Sequence, residues 1–500
     1  MPDPPAEPLV ELISRTRAGA ALMCPDVGST RGYDQLTDAA ATLASRLASA
    51  GVGRGGRVAV VLPNGPEIIE LLFALASLGA TMAPLNPAYT EAEYRFYLED
   101  LAPQLLLVEA GAAPAARAAA DGLAIVELHA DEAGGEPQLE MDGHPLRAAG
   151  FEPGRPDDPV LLLHTSGTTS RPKQVPLLQQ NLTAQARSIA THYALTESDV
   201  SYCAMPLFHV HGLVASTLAQ LAAGGTVVVP RRFSPRRFHA QAAAQGVTWL
   251  SAGPTLHQMI LEHATGPLPV LRFLRSCSSA LPVQLMQAAE DRYGVPMVEA
   301  YGMTEATHQM TSNPLPPASR RPGSVGVEAG AEVRIVDATG ADVPAGATGE
   351  VAVRGRGLTP GYLNNPEANA QAFVDGWFRT GDEGIIEDGY LRLRGRLKEM
   401  IIRGGENISP YEIEAVLQSH PQVAEAVAFG VEDGKYGQVV QAAVVLEGDA
   451  TPDELRRHAR ESLAAFKVPD RVYVLDRIPK TATGKVQRSR LASRLAGNDP

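Results

Sequence analysis

The chain has 500 residues, 45% of them hydrophobic, an ordinary globular composition that excludes a disordered or low-complexity protein. Its formal net charge of −13 argues against nucleic acid and against an anionic membrane surface as partners. Cys24, Cys203 and Cys277 lie far apart in the chain, so we expect buried thiols in a reducing compartment rather than a disulfide framework.

The sequence carries no pattern typical of membrane insertion or export. The longest apolar stretch, residues 71–85, is too short to span a bilayer and is interrupted by serine, glycine, threonine and proline. The N-terminal MPDPPAEP has no signal-peptide pattern, and the C-terminal GNDP is no peroxisomal address. We therefore predict no membrane insertion and a cytoplasmic location.

Residues 8–150 alternate between apolar runs and stretches rich in alanine and leucine, which is typical of an α/β fold. The predicted helices of this part are residues 39–50 and 67–78. The predicted strands here and just beyond are residues 58–62, 105–109, 160–164 and 226–229.

Residues 320–394 have a different character, with short β-branched segments separated by glycine and proline. The predicted strands of this region are residues 331–336, 349–353 and 390–393. Asp388 and Gly389 stand between two apolar runs and predict a two-residue hairpin turn.

After Lys398 the chain becomes a compact mixed unit. We predict helices at residues 411–418 and 455–465 and strands at residues 423–431 and 441–446. A chain of this length exceeds one ordinary domain, and we place the boundary between its two units at about residues 395–399.

A polar loop follows the strand predicted at residues 160–164. It contains Thr165, Ser166, Gly167, Thr168 and Thr169, and Lys173 comes shortly after. Hydroxyls and backbone N–H groups that follow a strand can hold phosphate oxygens, and a lysine adds positive charge. By composition alone, a solvated Ser/Thr loop explains the segment equally well.

The spacing of this loop resembles the phosphate loop of the adenylate-forming superfamily, which includes acyl-CoA synthetases, peptide-synthetase adenylation domains and firefly-type luciferases. Other motifs of that superfamily follow in the same order, and the resemblance runs from about residue 30 to residue 492. These motifs are residues 301–305, 380–382, 395–399, 403–408 and 479–485.

The resemblance implies an enzyme that uses ATP, Mg²⁺ and coenzyme A and that activates a small carboxylic acid. Lys485 is then the catalytic lysine that bridges the carboxylate and the α-phosphate. Glu305 holds Mg²⁺, Thr304 donates to the phosphate, Asp382 accepts from the ribose, and Tyr301 stacks on the adenine. Further residues implied in the nucleotide site are Ser279, Ala280, Glu299, Ala300, Gly302 and Arg396.

The superfamily's fold is expected as well. It implies an α/β protein whose N-terminal domain, residues 1–395, has mixed sheets with helices and a distorted β-barrel. Residues 396–398 form the hinge, and residues 399–500 form a small α+β lid.

The lid is expected to rotate about Lys398 between the two half-reactions. In the second arrangement Lys485 withdraws, and the loop with Gly404, Gly405 and Glu406 approaches the adenylate. The two glycines permit close approach of the backbone to the pantetheine of coenzyme A.

Several segments narrow the resemblance to the oxalate–CoA ligases of plants and fungi. They are residues 207–212, 271–279, 301–308, 312–316 and 463–469, together with Ser170 where most relatives have glycine. Oxalate is therefore the leading substrate.

Four side chains are the candidates for the acid pocket. A dicarboxylate leaves its second charge in the pocket, where hydrogen-bond donors or cations must compensate it. His308, His209, Ser278 and Arg275 offer such groups, with His209 also a candidate catalytic residue, whereas a fatty acid needs an apolar tunnel. A structural role remains the alternative for each histidine and for Arg275, and we expect His211 to be a packing residue.

Two departures from the expected pattern keep other acids open. Gln174 stands where the superfamily usually has glycine, and Gly302 replaces an alanine, which would slightly enlarge the pocket. The alternatives are malonate or another small acid, a medium-chain fatty acid, an adenylation enzyme that loads a carrier protein, and luciferase-type oxidation. A monomer and a homodimer both stay open.

Overall fold

The computed structural model describes residues 6–14, 18–130, 137–165, 172–480 and 486–495. Its α-helices are α1 (Tyr33–Ser49), α2 (Pro66–Leu78), α3 (Glu91–Leu101), α4 (Pro114–Ala119), α5 (Gln179–His192), α6 (Ala219–Ala222), α7 (Pro235–Ala244), α8 (Pro254–Glu262), α9 (Val283–Tyr293), α10 (Pro366–Ala372), α11 (Pro410–Gln418), α12 (Pro452–Ser462) and α13 (Arg488–Leu495). Three short 3-10 helices and one π-helical segment are Leu9–Ile13, Thr304–Ala306, Leu397–Glu399 and His211–Leu218.

The strands follow in chain order. The strands before residue 180 are β1 (Ala20–Cys24), β2 (Ser29–Gly32), β3 (Arg57–Val61), β4 (Thr81–Pro84), β5 (Leu105–Glu109), β6 (Ala124–His129), β7 (Gln138–Met141), β8 (His144–Pro145), β9 (Pro159–Thr165) and β10 (Lys173–Leu178). The strands from there to residue 340 are β11 (Val200–Tyr202), β12 (Thr226–Val228), β13 (Trp249–Ala252), β14 (Phe273–Ser276), β15 (Met297–Met303), β16 (His308–Ser312), β17 (Val327–Glu328) and β18 (Glu332–Val336). The remaining strands are β19 (Gly349–Arg354), β20 (Phe373–Val374), β21 (Trp377–Glu387), β22 (Tyr390–Arg396), β23 (Ile401–Arg403), β24 (Glu406–Ile408), β25 (Val423–Asp433), β26 (Gly437–Leu446) and β27 (Arg471–Val474).

Two large mixed sheets form most of the chain. One has nine strands in the order β17-β16-β15-β14-β13-β11-β12-β1-β2, and the other has eight in the order β10-β9-β4-β3-β5-β6-β7-β8. Strands β13, β14 and β15 are parallel neighbours, so their carboxyl ends meet at one edge of the nine-stranded sheet. Ligands of open α/β sheets bind outside such carboxyl ends, and the candidate site lies there.

The third sheet is antiparallel and corresponds to the region of short β-branched segments. Its order is β18-β19-β21-β20, and β22 pairs with β21. The predicted hairpin is confirmed, because Glu387 pairs with Tyr390 across a two-residue turn. Asp388 and Gly389 have φ angles of 50° and 82°, the left-handed values that a type I′ turn requires.

The C-terminal unit has its own sheet and its own apolar cores. Strands β23 to β27 form the sheet, with helices α11, α12 and α13 packed against it. Buried residues up to Leu391 belong to the cores of the two large sheets and the third sheet, whereas those from Ile401 onward belong to two separate clusters. The described cores therefore divide between residues 391 and 401.

The predicted elements are confirmed, and their ends shift by a few residues for local reasons. The helix predicted at 455–465 begins at Pro452, because the Thr451 side chain accepts from the Glu454 N–H and Glu454 bonds back in a capping box. It ends at Ser462, since Leu463 has extended backbone angles. The α/β class with a smaller α+β unit is likewise confirmed, and all three cysteines are buried.

The apolar helices of the chain are short. Within the five described stretches of the chain, no helix combines the length and the hydropathy needed to cross a bilayer.

Candidate active site

Tyr301, Asp382 and Arg396 form a cluster between the nine-stranded sheet and the third sheet. The Tyr301 hydroxyl donates a short hydrogen bond to Oδ2 of Asp382. Arg396 pairs with Asp382 across β21 and β22, and its Nε lies 3.4 Å from Oδ1. Burial and the negative charge of Asp382 raise the pKa of Tyr301, so its phenol stays protonated and remains a donor. The structure thus brings together three of the residues predicted for the nucleoside.

Glu305 is the centre of a second cluster. It lies in the 3-10 helix that also contains Thr304, and its Oε1 accepts a hydrogen bond of 2.9 Å from the Tyr362 hydroxyl. Lys173 Nζ lies 4.4 Å from the centre of the Tyr362 ring, a cation–π contact. Lys173 and Glu305, which are far apart in sequence, therefore both contact Tyr362.

The Glu305 carboxylate fits a magnesium ion that is shared with phosphate groups. Mg²⁺ typically takes one or two protein carboxylates and completes its shell with water and phosphate oxygens. Outside the gaps in the structure, no group of three or more histidine, cysteine, aspartate or glutamate side chains is arranged to hold a metal. The residues present suit a magnesium ion that arrives with a nucleotide better than a permanently caged metal.

Two paired strands, β9 and β10, flank the predicted phosphate loop. Thr165 ends β9 and pairs directly with Lys173, which begins β10. The predicted loop residues Ser166, Gly167, Thr168 and Thr169, and also Lys485, lie outside the residues that the structure describes.

The wall beside these clusters comes from β14, β15 and the segment after β14. Ser279 and Ala280 are exposed, whereas Glu299 and Ala300 are buried in β15. Glu299 Oε1 accepts from the Leu281 N–H at 3.1 Å, which ties β15 to the segment of Ser279 and Ala280. Burial raises the pKa of Glu299 to about 7.

The segment predicted as the hinge joins the third sheet to the C-terminal unit. Lys398 lies in the 3-10 helix Leu397–Glu399, and burial followed by the charge of Arg396 lowers its pKa. Gly404 and Gly405 form the turn between β23 and β24 with φ angles of 61° and 89°, and Glu406 begins β24. These left-handed angles explain why the turn contains glycine.

A buried polar cluster lies at the carboxyl ends of β13 and β14. His211 is 3% exposed, and its Nδ1 and Nε2 lie 2.9 Å and 2.8 Å from the hydroxyls of Ser278 and Ser251. The ring centres of His211 and His308 are 4.9 Å apart, and Arg275 Nη2 lies 3.4 Å from His308 Nδ1. The structure thus joins three predicted acid-pocket residues, His308, Ser278 and Arg275, through His211.

His209 and His211 lie in different surroundings. His211 is buried, as predicted for a packing residue, but it also bonds to Ser278. His209 is half-buried, with its ring centre 4.6 Å from that of Phe208. Burial, followed by the charges of Arg275, His257 and His209, lowers the pKa of His211 well below its usual value, so that ring is neutral.

The backbone of the cluster has unusual angles. Ser278, Thr307 and His308 are non-glycine residues with φ angles of 81°, 54° and 129°. Such angles cost energy and concentrate at functional sites. These residues lie on both sides of the His211–His308 contact. We infer that the positions of the side chains in this cluster are maintained at the energetic cost of unfavourable backbone angles.

The two departures from the expected pattern have structural explanations. Gln174 Nε2 donates to the main-chain oxygen and to Oδ2 of Asp100, both at 2.6 Å, and His164 bonds the same carboxylate at 2.9 Å. At Gly302, an added Cβ would overlap the carbonyl oxygen of His308. Glycine at 302 therefore permits close packing of the His308 backbone, and the expected enlargement of the pocket does not explain it.

Arg275 also donates hydrogen bonds of 2.9 Å each to Tyr193 and Gln309. Four residues of these clusters were missed by sequence reasoning: Tyr362, Ser251, Tyr193 and Gln309. They come from four separate elements or loops, so no local spacing relates them to the motifs. A buried polar residue within an otherwise apolar strand is the one signal that Ser251 offers.

The chain is similar to known families and proteins. A family model described as AMP-binding enzyme matches residues 13–363, and one described as AMP-binding enzyme C-terminal domain matches residues 412–485. The chain is 48% identical to the probable CoA ligase CCL9 of Humulus lupulus, over 89% of this chain and 88% of that protein.

Two further relatives are oxalate–CoA ligases. The one from Arabidopsis thaliana is 46% identical over 91% of this chain and 92% of that protein. The one from Saccharomyces cerevisiae is 43% identical over 89% of this chain and 88% of that protein.

Solved structures with the same fold include two ATP complexes. ATP-bound MatB from Rhodopseudomonas palustris has a TM-score of 0.88 and 29% identity, covering 98% of this chain and 99% of that one. The o-succinylbenzoate coenzyme A synthetase MenE from Bacillus subtilis, with ATP and magnesium, has a TM-score of 0.85 and 30% identity, covering 97% and 99%. The clusters described above and these matches lead to one conclusion: the chain belongs to the AMP-binding enzyme family.

Proposed function

We propose that the protein is an ATP-dependent acid–CoA ligase whose acid is oxalate, and that it works through an acyl-adenylate. The observation that carries the choice of acid is the buried cluster of Arg275, His211, His308 and Ser278. The relatives named as oxalate–CoA ligases support the same choice.

In the first half-reaction an oxygen of the acid's carboxylate attacks the α-phosphorus of ATP. The bond from that phosphorus to the bridging oxygen breaks, and pyrophosphate leaves. Little covalent work falls to the protein, which positions the two reactants and supplies positive charge. Lys485 is proposed to bridge the carboxylate and the α-phosphate, and Lys173 to face the phosphates.

The remaining nucleotide contacts follow from the two clusters. Asp382, held by Tyr301 and Arg396, accepts from the ribose hydroxyls, and Thr304 donates to a phosphate oxygen. Magnesium held through Glu305 would neutralise phosphate charge when bound. The Tyr362 hydroxyl fixes the direction of the Glu305 carboxylate through its hydrogen bond of 2.9 Å.

In the second half-reaction the sulfur of coenzyme A attacks the acyl carbon, the thiol loses its proton, and AMP leaves. We propose residues 1–395 as the adenylation domain, 396–398 as the hinge and 399–500 as the lid. Rotation about Lys398 then exchanges the segment with Lys485 for the loop with Gly404, Gly405 and Glu406.

An exposed surface of the lid beside that loop suits the nucleotide half of coenzyme A. Tyr436 is 40% exposed, and its carbonyl accepts from the Gly404 N–H at 2.8 Å. Arg403 and Lys435 lie 5.2 Å and 4.8 Å from the centre of the Tyr436 ring. An aromatic face for the adenine and cations for the phosphates are the groups that such a ligand needs.

Oxalate fits the acid pocket because its second carboxylate remains charged after the first has been activated. Burying that charge is costly unless donors or cations compensate it. Ser278 and His308 are the proposed direct contacts, with His209 close by, and the Arg275 guanidinium supplies positive charge behind them. An apolar acyl chain would leave these polar groups without partners.

The decisive experiment is mass spectrometry of the CoA thioesters that the purified protein forms with ATP and Mg²⁺. Oxalate, malonate, succinate, octanoate and 4-coumarate are offered singly and then in competition, with Glu305→Gln as the inactive control. Oxalyl-CoA should dominate. Octanoyl- or coumaroyl-CoA would reject the polar pocket, and malonyl-CoA would move the choice to a longer dicarboxylate. Pyrophosphate release without any thioester would indicate a carrier protein as acceptor.

The same proposal names the molecules that the protein binds. The partners are a small carboxylic acid, ATP and coenzyme A, and no nucleic acid is expected. The cytoplasmic location stays a prediction from the sequence.

A further inference from the structure

Arg275 is a fully buried cation without a described counter-ion. Its side chain, on β14, is 0% exposed. The guanidinium donates to Tyr193, Ser251 and Gln309 at 2.9 Å, 2.8 Å and 2.9 Å, and all three acceptors are neutral. Within the described ranges, no carboxylate lies at ion-pair distance from it. A buried, uncompensated guanidinium is costly, so the region beside it favours an anion.

The contact between Arg275 and His308 determines which nitrogen of that ring carries the proton. An arginine side chain has donors only and is never deprotonated in proteins. A hydrogen bond between Nη2 and His308 Nδ1, at 3.4 Å, therefore requires Nδ1 to be the acceptor. The proton of a neutral His308 ring is then on Nε2.

A second path runs from Arg275 through Ser251 to His211. Arg275 Nη1 donates to Ser251 Oγ at 2.8 Å, so this oxygen is already an acceptor. Its own hydrogen has one acceptor at contact distance among the bonds of the described residues, His211 Nε2 at 2.8 Å. The neutral His211 ring then carries its proton on Nδ1.

The path ends on Ser278. A protonated His211 Nδ1, 2.9 Å from Ser278 Oγ, donates to that hydroxyl and makes its oxygen an acceptor. The hydroxyl hydrogen of Ser278 then points away from His211. Along this path each residue donates a hydrogen bond to the next one, beginning with Arg275.

We propose that Arg275 is a positioning residue that fixes the protons of this network, so that Ser278 and His308 both present donors to the second carboxylate of a dicarboxylate substrate. The inference rests on the proposed function and deepens it, because it explains the choice of an anionic acid. A carboxylate accepts from both groups, whereas the end of an acyl chain accepts from neither. The cation adds an electrostatic preference for the doubly charged acid.

Ser251→Ala tests the inference because it interrupts the path and leaves both the charge and the proposed substrate contacts in place. We expect the KM for oxalate to rise about tenfold, as for the loss of one oriented buried hydrogen bond, with the KM for ATP unchanged. Ser251→Thr, which keeps a hydroxyl on β13, should restore the KM for oxalate. Arg275→Lys, which keeps a charge but not the fork of donors, should also raise it.

The matched control is Ser201→Ala. Ser201 lies on the neighbouring strand β11, is as buried as Ser251, and donates to the Ser216 carbonyl at 2.8 Å. This control should leave both KM values as in the unmodified protein. An unchanged oxalate KM in folded Ser251→Ala and Arg275→Lys proteins would overturn the inference, as would equal rises in the oxalate and ATP KM values.

Nitrogen NMR of protein with ¹⁵N-labelled histidine gives a test that does not depend on the substrate. Signals assigned with His211→Gln and His308→Gln should show a proton on Nδ1 of His211 and on Nε2 of His308. In Ser251→Ala, the Nδ1 preference of His211 should decrease. A proton on Nε2 of His211 in the unmodified protein would overturn the path even if oxalate is the substrate. If another acid proves to be the substrate while the NMR result holds, the proposed function fails and the proton arrangement stands.

Discussion

At the scale of single residues, the clearest feature of the site is that two carboxylates each accept a hydrogen bond from a neutral tyrosine. Asp382 accepts from Tyr301, and Glu305 accepts from Tyr362 at 2.9 Å. Burial and the adjacent carboxylate raise the pKa of both phenols, so each remains a donor across the physiological range. A tyrosine orients a carboxylate without cancelling its charge, and the charge remains available to a ribose or a metal.

Removing one hydroxyl tests this function of tyrosine. Tyr301→Phe takes away the donor that orients Asp382, so we expect the KM for ATP to rise about tenfold, as for the loss of a hydrogen bond to a charged group. The measurement is ATP–pyrophosphate exchange over a range of ATP concentrations. Tyr390→Phe is the control, because the Tyr390 hydroxyl bonds the Ser319 carbonyl at 2.5 Å on the surface. An equal effect of both variants would contradict the prediction.

The raised pKa of Glu299 leads us to expect that the stability of the folded protein depends on pH. Burial raises its pKa to about 7 in the folded protein, above the ordinary value of 4.5 that the unfolded chain keeps. The folded state therefore binds a proton more tightly, so the stability that Glu299 contributes is complete below about pH 4.5 and is lost as pH rises through about 7.

Glu299→Gln removes this titration and retains an oxygen for the Leu281 N–H. Its melting temperature should exceed that of the unmodified protein at pH 8 by about 2–4 °C, and the difference should vanish below about pH 4.5. Thermal unfolding at several pH values checks the prediction. A difference that is constant over this range would show that the carboxyl does not titrate there.

At the scale of elements, the beginning of helix α13 is fixed by an ion-pair network. Arg488 Nη1 lies 3.0 Å from Glu414 of α11, and Arg488 Nε lies 3.4 Å from Glu399. Burial raises the pKa of Glu414 to about 7, even though the charge of Arg488 opposes the rise. Glu399 directly follows Lys398, and Arg488 comes three residues after Lys485. The network therefore connects the start of the proposed lid to the segment with the proposed catalytic lysine.

Arg488→Ala should slow adenylation more than thioester formation, because it loosens the segment of Lys485 and leaves Glu414 without its partner. Misplacement of a reacting group by about 1 Å can cost about 100-fold in rate, which sets the expected size of the effect. The rate of pyrophosphate release and the rate of thioester formation from a preformed acyl-adenylate measure the two steps separately. Arg490→Ala, an exposed arginine of the same helix, is the control. Equal slowing of both steps would mean that Arg488 supports only the stability of the lid.

At the scale of the whole molecule, hydrogen bonds of Lys480 and Gln284 are among the contacts between the C-terminal unit and the rest of the chain. Lys480 Nζ bonds Thr255 at 3.2 Å and Glu425 at 2.9 Å, and Gln284 donates to the Gln418 carbonyl at 2.8 Å. Thr255 lies just after β13, which ends beside the polar cluster. Lys480, the last described residue before the segment of the proposed catalytic lysine, therefore lies beside α8, which follows the end of β13.

Thr255→Val removes the hydroxyl of one contact and should weaken this arrangement of the two units. We expect slower adenylation and an unchanged rate of thioester formation from a preformed acyl-adenylate, measured on the two isolated steps. Thr226→Val is the control, because its hydroxyl bonds the Ala20 carbonyl at 2.8 Å within the large unit. A slower second step with normal adenylation would assign this arrangement to thioester formation instead.

The sequence by itself determined the secondary-structure elements and the motifs of the family. Nearby residues were sufficient for these predictions. The periodicity of hydrophobic residues predicts strands and helices, and Asp388-Gly389 predicts a hairpin turn independently of the rest of the fold. The motifs were also local, since Tyr301, Thr304 and Glu305 lie within five residues of one another. For this reason the α/β class and the family follow from the chain read in order.

Only the tertiary structure decided how the acid pocket is built. Arg275, Ser251 and His211 come from two strands and a π-helical segment, and the hydrogen bonds among them join positions up to 40 residues apart in the sequence. No period or spacing predicts such contacts, which is why His211 was expected to be packing and Ser251 was missed. The same holds for Gly302. Glycine is required at this position because the His308 backbone packs against it. Burial turns these polar residues into an oriented network, and burial is a property of the folded chain.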